Sequence, residues 1–290
     1  MMELTFKKSK NMISTFNIYC EIFIPPRVLL ILYFFIFSFM IRAQDDGVWY
    51  NKKCAVCLTY DDGLKTQLDN VIPILDSLGF RATFYVPGYF PGFKDYVAKW
   101  KSVAKKGNEL GNHTLFHPCE GQAPGREWVN PDYDLNSYSV AKIVDEIQMA
   151  NVLLKTIDGK TKRTFAYPCG DIKVSDSSYV REIKSEFVGA RGVEGKMQKI
   201  NDIDLFDIGS YMINELPGDS LIGLVKQAVT GNDLLVFLFH GVGGGHNINV
   251  SLEAHNKLLH YLKQNEKNIW IAPLVDIAEY INEYKGKKNK

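Results

Sequence analysis

The sequence has little of what marks a disulfide-rich, nucleic-acid-binding or disordered protein. Only five of its 290 residues are cysteine, and 34 basic residues nearly balance 33 acidic ones, so the net charge is +1. No Lys/Arg-rich stretch lies in the body of the chain, which argues against a nucleic-acid partner. A hydrophobic content of 46% without low-complexity repeats excludes wholesale disorder. The composition is that of an ordinary globular protein.

One apolar run lies near the N-terminus. Arg27 precedes fourteen apolar or small residues, 28–41, and Arg42-Ala43 follows them. A basic flank, a short apolar core and a small residue at the exit are typical of a secretory signal, whereas a membrane span needs about 20 residues. We therefore predict a signal peptide or N-terminal anchor over 1–43, one domain over 44–290, and export to the periplasm, cell surface or exterior. Membrane attachment is expected only if the apolar segment is retained.

Four cysteines follow the predicted signal. Export permits disulfides, and Cys54, Cys57, Cys119 and Cys169 allow three complete pairings. The Cys54-x-x-Cys57 spacing also fits half a zinc knuckle, but the run from Cys54 to Tyr60 is strand-like and lacks the turn residues of a knuckle. We interpret this pair as buried structural thiols.

From residue 54 onward, apolar β-type runs alternate with helical patterns. The predicted strands cover 54–60, 82–86, 109–112, 164–167, 187–190, 205–208, 234–239 and 269–271, and the predicted helices cover 67–78, 96–106, 140–157, 221–229, 252–264 and 274–284. This rhythm predicts an α/β fold with a parallel sheet. Seven or eight strands in one domain favour a distorted (β/α) barrel with outer helices, whose chemistry lies just after each strand.

Two of these strand ends carry candidate metal ligands. Asp61 and Asp62 follow the first strand, and adjacent carboxylates are costly without a cation or donors, although an Asp-Gly turn also explains them. His113 and His117 follow the third strand at i and i+4, a spacing that can grip one metal. Surface or packed histidines are the alternative. Together, one Asp and two His form a ligand set with open positions for water, and the other Asp is free to act as a base.

At these residues the chain resembles the polysaccharide deacetylase family, the NodB-homology domains of carbohydrate esterase family 4. That family has a Thr-Phe-Asp-Asp-Gly motif followed by His-Ser/Thr-x-x-His-Pro. Here Thr59-Tyr60-Asp61-Asp62-Gly63 precedes His113-Thr-Leu-Phe-His117-Pro118. The family's Leu-x-His motif after an apolar strand is present as Leu238-Phe239-His240. The resemblance covers residues 52–284 and implies a barrel of the polysaccharide deacetylase type.

Two family motifs are altered. The third, Phe-Arg-x-Pro-Tyr-Gly, here reads Phe165-Ala166-Tyr167-Pro168-Cys169-Gly170, so alanine replaces the arginine that orients the catalytic Asp in the family. The fourth, Asp-x-x-Asp-Trp, is only echoed by Asp204-Leu-Phe-Asp207. Arg191, at the end of the predicted strand over 187–190, is a candidate replacement that would hydrogen-bond Asp61. A surface position for Arg191 is the equal alternative.

The resemblance implies a set of site residues with defined roles. The metal ligands are Asp62, His113 and His117, the catalytic base and acid are Asp61 and His240, and the oxyanion and substrate-binding residues are Cys169 and Tyr167. The implied metal is divalent, with zinc expected and cobalt, nickel or manganese as alternatives. By the same resemblance, the metal would supply Lewis acidity toward water and the acetyl carbonyl, Asp61 would accept a proton from the water, and His240 would protonate the leaving group.

Three features near the motifs are interpreted without the resemblance. Cys119 and Cys169 each follow a site motif, and a disulfide between them is one hypothesis; free thiols or an extra metal ligand are the others. The segment 241–245 is predicted to be a flexible loop, because its glycines match no phosphate-binding pattern. His246, His255 and His260 are interpreted as solvated loop or helix residues.

The function predicted from these residues is metal-dependent hydrolysis of N-acetyl or O-acetyl groups on a poly- or oligosaccharide. A non-catalytic carbohydrate-binding barrel is the first alternative, because the family arginine and tryptophan are missing. A structural zinc site built from Cys54, Cys57, His113 and His117 is the second. The expected partner is an acetylated carbohydrate, with no nucleic acid.

Overall fold

The computed structural model describes residues 48–288. The predicted signal or anchor over 1–43 lies outside this range and stays a prediction. Among the described helices, none has the length and apolar content required to cross a bilayer.

The strands of this range are mostly short and buried. They are β1 (Cys54–Asp61), β2 (Thr83–Val86), β3 (Glu109–Asn112), β4 (Thr164–Ala166), β5 (Lys173–Val174), β6 (Ser177–Ser178), β7 (Gly189–Arg191), β8 (Tyr211–Met212), β9 (Leu234–Phe239), β10 (Gly241–Val242), β11 (Asn249–Val250) and β12 (Ile269–Ile271). Every residue of β1 and of β9 is buried. Such continuous apolar strands are expected of a parallel sheet covered on both faces.

The main sheet is a curled half-barrel. Seven parallel strands pair in the order β7-β4-β3-β2-β1-β9-β8. β12 pairs with the first residues of β1, Cys54–Val56, while β2 pairs with the last ones, Thr59–Asp61. The predicted distorted (β/α) barrel with seven or eight parallel strands is confirmed.

Helices cover the outside of this sheet. They are α1 (Ile72–Leu78), α2 (Pro91–Lys94), α3 (Val97–Lys105), α4 (Val140–Asp158), α5 (Val180–Ile183), α6 (Gly218–Gly231), α7 (Leu252–Gln264) and α8 (Leu274–Lys288). The longest, α4, begins where the Ser139 side chain accepts a hydrogen bond from the Lys142 N–H, and it ends at Gly159 with φ +75°. These are the capping residues expected at each end of a helix.

The helix predicted over 67–78 has a π-helical first part, Gln67–Val71, before α1. Pro73 explains the change of winding, because its ring nitrogen cannot donate to the preceding turn and its ring crowds the carbonyl four residues earlier. The extra residue per turn relieves that clash.

The strand predicted over 205–208 is wrong. Only Ile208 forms an isolated bridge, with Arg191, and the paired strand is instead β8, which runs beside β9. The Asp204 side chain accepts a hydrogen bond from the Phe206 N–H at 2.8 Å and folds this segment into a turn. Asp at the first position of such a turn is a local signal that outweighed the apolar pattern.

Candidate active site

The candidate site lies at the C-terminal end of the parallel strands. Asp61 is the last residue of β1, and Arg191 is the last residue of β7. His113 follows β3 and His240 follows β9 directly. Since all these strands are parallel, their ends meet at one edge of the half-barrel, where such folds carry their chemistry.

Asp62, His113 and His117 face one another. Oδ1 of Asp62 lies 3.8 Å from Nε2 of His113 and 3.7 Å from Nε2 of His117. The ligand atoms of the three residues lie within 4.8 Å of one another. The backbone bends sharply to achieve this, with φ of +72° at Asp62 and +57° at His117. Non-glycine residues rarely adopt such values except where surrounding structure holds them, often at functional sites.

The donor set of this cluster fits a divalent cation. Nδ1 of His113 lies 2.8 Å from the carbonyl oxygen of Ala166 and must carry the proton to bond with it. Nε2 of His113 therefore presents a lone pair toward Asp62. Oδ1 of Asp62 is buried, and no group among residues 48–288 donates a hydrogen bond to it. Buried acceptors that face each other without a proton between them need a cation.

Burial also keeps His113 neutral. It lowers the pKa of His113 to about 4, with a further lowering contribution from His117 that the nearby carboxylates only partly offset. A neutral imidazole is the form that binds metals.

Asp61 is held by Arg191. Nη2 of Arg191 donates to Oδ1 and Oδ2 of Asp61 at 2.7 and 2.5 Å. The guanidinium is fully buried and lies 4.9 Å from the centroid of the Tyr85 ring. Burial raises the pKa of Asp61, but Arg191, with His113 and His240, outweighs that effect and lowers it. Asp61 is consequently an ionised carboxylate fixed in orientation.

Arg191 lies beside the altered third motif in the sheet. Ala166 on β4 and Arg191 on β7 are register partners on neighbouring parallel strands. Side chains of such a pair lie on the same face of the sheet, about 5 Å apart at Cβ. Arg191 therefore brings a guanidinium to Asp61 from the strand next to the one that carries Ala166. The surface alternative for Arg191 is wrong.

A disulfide joins two loops of the site. Cys119 and Cys169 are bonded, with their Cα atoms 5.8 Å apart, which confirms the disulfide hypothesis. Sγ of Cys119 also lies 3.5 Å from Nδ1 of His117. Cys169 has φ +56° in the short turn after β4. The bond thus ties the backbone around Cys169 to the segment that carries His117.

Two other predictions concern cysteine and Tyr167. Cys54 and Cys57 are free and buried in β1, as interpreted, and neither joins a metal-ligating cluster in the described part of the chain. The side chain of Tyr167 is buried, and its hydroxyl donates to the carbonyl oxygen of Phe206 at 3.0 Å. Any contact of Tyr167 with a substrate must therefore come from its backbone.

Two histidines lie on the other side of Asp62. Nε2 of His240 is 4.0 Å from Oδ2 of Asp62, and Nε2 of His246 is 3.7 Å from the same oxygen. The two rings are stacked, with centroids 4.8 Å apart and planes 14° from parallel. Burial lowers the pKa of His240, and the carboxylates of Asp61 and Asp62 offset part of that.

The interpretation of three histidines as solvated holds for His246 and His260, which are exposed, and is wrong for His255. His246 reaches the site because the loop after β9 folds back, and the glycines beside it were the only sequence signal of such a reversal. His255 is fully buried in α7, and its Nε2 lies 2.8 Å from the Tyr60 hydroxyl. The helical apolar pattern of 252–264 could have placed His255 on the inner face.

A cleft of about 400 Å³ opens beside Asp62. Its wall consists of the residues after β1 and β2 and of Gly245, and includes Leu64, Phe90 and Tyr96. A mainly apolar cleft with a few polar groups at one end is the usual shape of a ligand site.

Parts of the chain match a family model and several known proteins. The family described as polysaccharide deacetylase matches residues 50–188. A gellan lyase of a Bacillus species is 26% identical over 190 residues, which cover 65% of this chain and 6% of that protein. The peptidoglycan-N-acetylmuramic acid deacetylase of Bacillus subtilis is 26% identical over 118 residues, covering 40% of this chain and 38% of that protein. The chain thus spans well under half the length of these relatives.

Among solved structures, the fold is similar to that of a Mycobacterium smegmatis protein assigned to the polysaccharide deacetylases. The TM-score is 0.53 at 14% sequence identity, and the match covers 81% of this chain and 92% of that one. At 14% identity, this similarity is evidence for the fold alone.

Proposed function

Because residues 50–188 belong to the polysaccharide deacetylase family, we propose that the protein is a metal-dependent hydrolase that removes acetyl groups from a poly- or oligosaccharide. The observation that carries the proposal is the buried cluster of Asp62, His113 and His117. The ligand atoms of these three residues surround a position that a cation would satisfy, and they lie next to the carboxylate of Asp61 and the imidazole of His240.

Asp62, His113 and His117 would hold the divalent metal. Zinc is the expected ion, with cobalt, nickel or manganese as alternatives, because imidazole and carboxylate ligands suit all of them. When bound, such an ion supplies Lewis acidity toward water and the acetyl carbonyl.

Asp61 is the proposed general base. Its carboxylate is ionised because Arg191 pairs with it, so it can accept a proton from the attacking water. Arg191 is a positioning residue, since its two hydrogen bonds fix the plane of the carboxylate. The backbone N–H of Cys169 would donate a hydrogen bond to the oxyanion that develops at the acetyl carbonyl oxygen.

His240 is the proposed general acid. It would give a proton to the departing nitrogen or oxygen of the sugar as the bond to the acetyl carbon breaks. The products are then acetate and a free amino or hydroxyl group on the glycan. The cleft beside Asp62 would receive the carbohydrate, with Phe90 and Tyr96 available to contact its rings.

The non-catalytic alternative is not favoured by the geometry. It rested on the missing arginine and tryptophan of the third and fourth motifs, and Arg191 supplies a guanidinium to Asp61 from the strand next to Ala166. The structural zinc alternative is likewise not favoured. Among the described residues, the potential metal-binding clusters that contain His113 or His117 include neither Cys54 nor Cys57.

We also propose export, with residues 1–43 as signal or anchor and 44–290 as the catalytic domain. The Cys119–Cys169 disulfide supports this, because such bonds persist mainly in oxidising compartments.

Acetate release tests the proposed function. The purified protein would be assayed on a panel of N-acetylated and O-acetylated glycans with and without a chelator, and bound metal would be measured on the same samples. We expect chelator-sensitive acetate release in the wild type and at least a 100-fold loss of both acetate release and metal affinity in Asp62→Ala. Asp219→Ala serves as the matched control, because this carboxylate is mostly exposed on α6, where it pairs with Lys257. Stoichiometric metal without acetate from any glycan would overturn the proposal.

A further inference from the structure

The loop after β9 is shaped to return His246 to the metal cluster. β10 and β11 pair in parallel, so the chain leaves the site at Gly241 and comes back at Asn249. Gly243, Gly244 and Gly245 all have positive φ, between +69° and +114°. The side-chain oxygen of Asn249 accepts a hydrogen bond from the Gly244 N–H at 2.8 Å. These bonds give His246 a defined place rather than a flexible one.

The loop also packs closely on the chain that follows β1. A Cβ atom at Gly245 would lie 2.5 Å from Oγ1 of Thr66. Glycine is required there both for its backbone angle and for this close approach. The loop is consequently fixed against the segment that carries Asp62.

The ring of His246 is oriented by the backbone. Its Nδ1 accepts a hydrogen bond from the Ile248 N–H at 3.0 Å, shorter than the 3.3 Å between Nδ1 and the Ile248 carbonyl oxygen. When Nδ1 of a neutral imidazole accepts a hydrogen bond, the ring proton lies on Nε2. Nε2 is the atom that faces Oδ2 of Asp62 at 3.7 Å.

We propose that His246 is a positioning residue, which donates a hydrogen bond from Nε2 to Oδ2 of Asp62 and so reserves Oδ1 for the metal. This rests on the metal site proposed above. Oδ1 of Asp62 accepts no hydrogen bond from any group among residues 48–288. Nε2 of His246 lies closer to Oδ2 than Nε2 of His240 does, so a rotation of the Asp62 side chain that shortens the 3.7 Å separation would form this bond. Ligating carboxylates are generally held by such outer hydrogen bonds, whose loss costs about 10- to 100-fold in metal affinity.

The geometry of His246 does not suit it to bind a second metal ion. Its Nε2 carries the proton and has no lone pair to offer in this form. The rings of His240 and His246 are also nearly parallel, so their in-plane lone pairs cannot converge on one ion between them. The proposal therefore requires one ion per chain.

Cobalt(II) binding to the metal-free protein tests this role without any assay of activity. We expect His246→Ala to weaken the dissociation constant at least 10-fold and to change the visible absorption of bound cobalt. His246→Gln is expected to stay within about threefold of the wild type, because its amide nitrogen can stand where Nε2 stands. His246→Asn places its amide nearer to Nδ1 and should behave like the alanine variant. His260→Ala, an exposed histidine on α7, is the matched control and should match the wild type.

Equal cobalt affinity and spectra in wild type and His246→Ala would overturn the proposal, as would equal losses in the glutamine and asparagine variants. Two cobalt ions per wild-type chain would also overturn it. Cobalt binding with the expected variant pattern but without acetate release would leave His246 in this role and overturn only the proposed function. A wild type that binds no cobalt would overturn both.

Discussion

At the scale of single residues, the main feature of the site is the arginine that pairs with Asp61 and the strand that carries it. The third motif lacks its arginine at Ala166, and Arg191 fills the need from the register-paired position on β7. Ala166 is fully buried and small, so the volume over this pair accommodates one long side chain. We therefore expect an arginine at either position, but not at both, to pair with Asp61.

Replacing Arg191 should change the pH dependence of the reaction. In Arg191→Met, burial raises the pKa of Asp61 without the guanidinium that outweighs it in the wild type. The base is then protonated up to a higher pH. We expect kcat/KM near neutral pH to fall at least about 100-fold, and its acid limb to move to higher pH.

The double variant Ala166→Arg, Arg191→Met provides the control. It returns the guanidinium to the position found in the family motif, so we expect at least a 10-fold recovery and an acid limb near that of the wild type. An unchanged pH profile in Arg191→Met would contradict the proposed pairing.

The sequence predicted the central site residues but could not position all of them. The ligand motifs name Asp62, His113 and His117 because their spacing is local and specific. Arg191 could be proposed but not chosen over a surface position, because its contact with Asp61 joins residues 130 apart in the chain. His246 is exposed, as expected, but its approach to Asp62 was not predicted, since three glycines permit many loop paths and only the β10–β11 pairing selects one.

At the scale of elements, the strand and helix pattern was predictable where apolar periodicity was strong. β1, β9 and α4 follow long regular patterns and lie close to their predicted positions. β8 has only two residues and carries no such pattern, and the apolar residues 205–208 fold as an Asx turn instead. Short elements of this kind are decided by tertiary pairing rather than by local sequence.

The disulfide between the loops after β3 and β4 should stabilise both the fold and the metal site. The bond closes a loop of 50 residues, for which the chain-entropy model gives about 4 kcal/mol as an upper value. We expect Cys119→Ser, Cys169→Ser to lower the free energy of unfolding by about 2–4 kcal/mol and to weaken metal binding, because His117 lies two residues from Cys119. Urea unfolding and metal titration measure the two effects.

Treatment with a reductant separates the effect of the disulfide bond from the effect of replacing the two cysteine side chains. Reduced wild type should unfold like the double variant, whereas the double variant should not respond, because Cys54 and Cys57 are buried free thiols. Identical stability of oxidised and reduced wild type would contradict a stabilising role.

At the scale of the whole molecule, buried neutral histidines should make folding sensitive to mild acid. Burial lowers the pKa of His255, inside α7, from 6.5 to about 4, and lowers that of His113 to about the same value. The unfolded chain binds protons at these residues below pH 6.5, and the folded chain does not until about pH 4. Stability is therefore fully present above pH 6.5 and is lost as the pH falls toward 4.

Urea unfolding of the metal-free protein at pH 7 and pH 5 tests this dependence. Each histidine should contribute a loss of about 2 kcal/mol over that interval. In His255→Phe, the decrease in the free energy of unfolding between pH 7 and pH 5 should be smaller by that amount. Acidic residues with raised pKa values, such as Glu109, act in the opposite direction, but they do so in both proteins. His260→Ala is the control, because this histidine lies exposed on α7. An equal pH dependence in His255→Phe and the wild type would contradict the prediction.

The register pair of Ala166 and Arg191 also bears on how this molecule is compared with its relatives. An alignment treats each column separately, so it counts an arginine lost on β4 and an unrelated arginine gained on β7. In space the two positions are neighbours, and Arg191 brings its guanidinium to Asp61 from beside the position of Ala166. What matters for Asp61 is a positive charge at this location, whichever of the two strands supplies it. Judging such a chain as decayed from its motif alone would mistake relocation for loss.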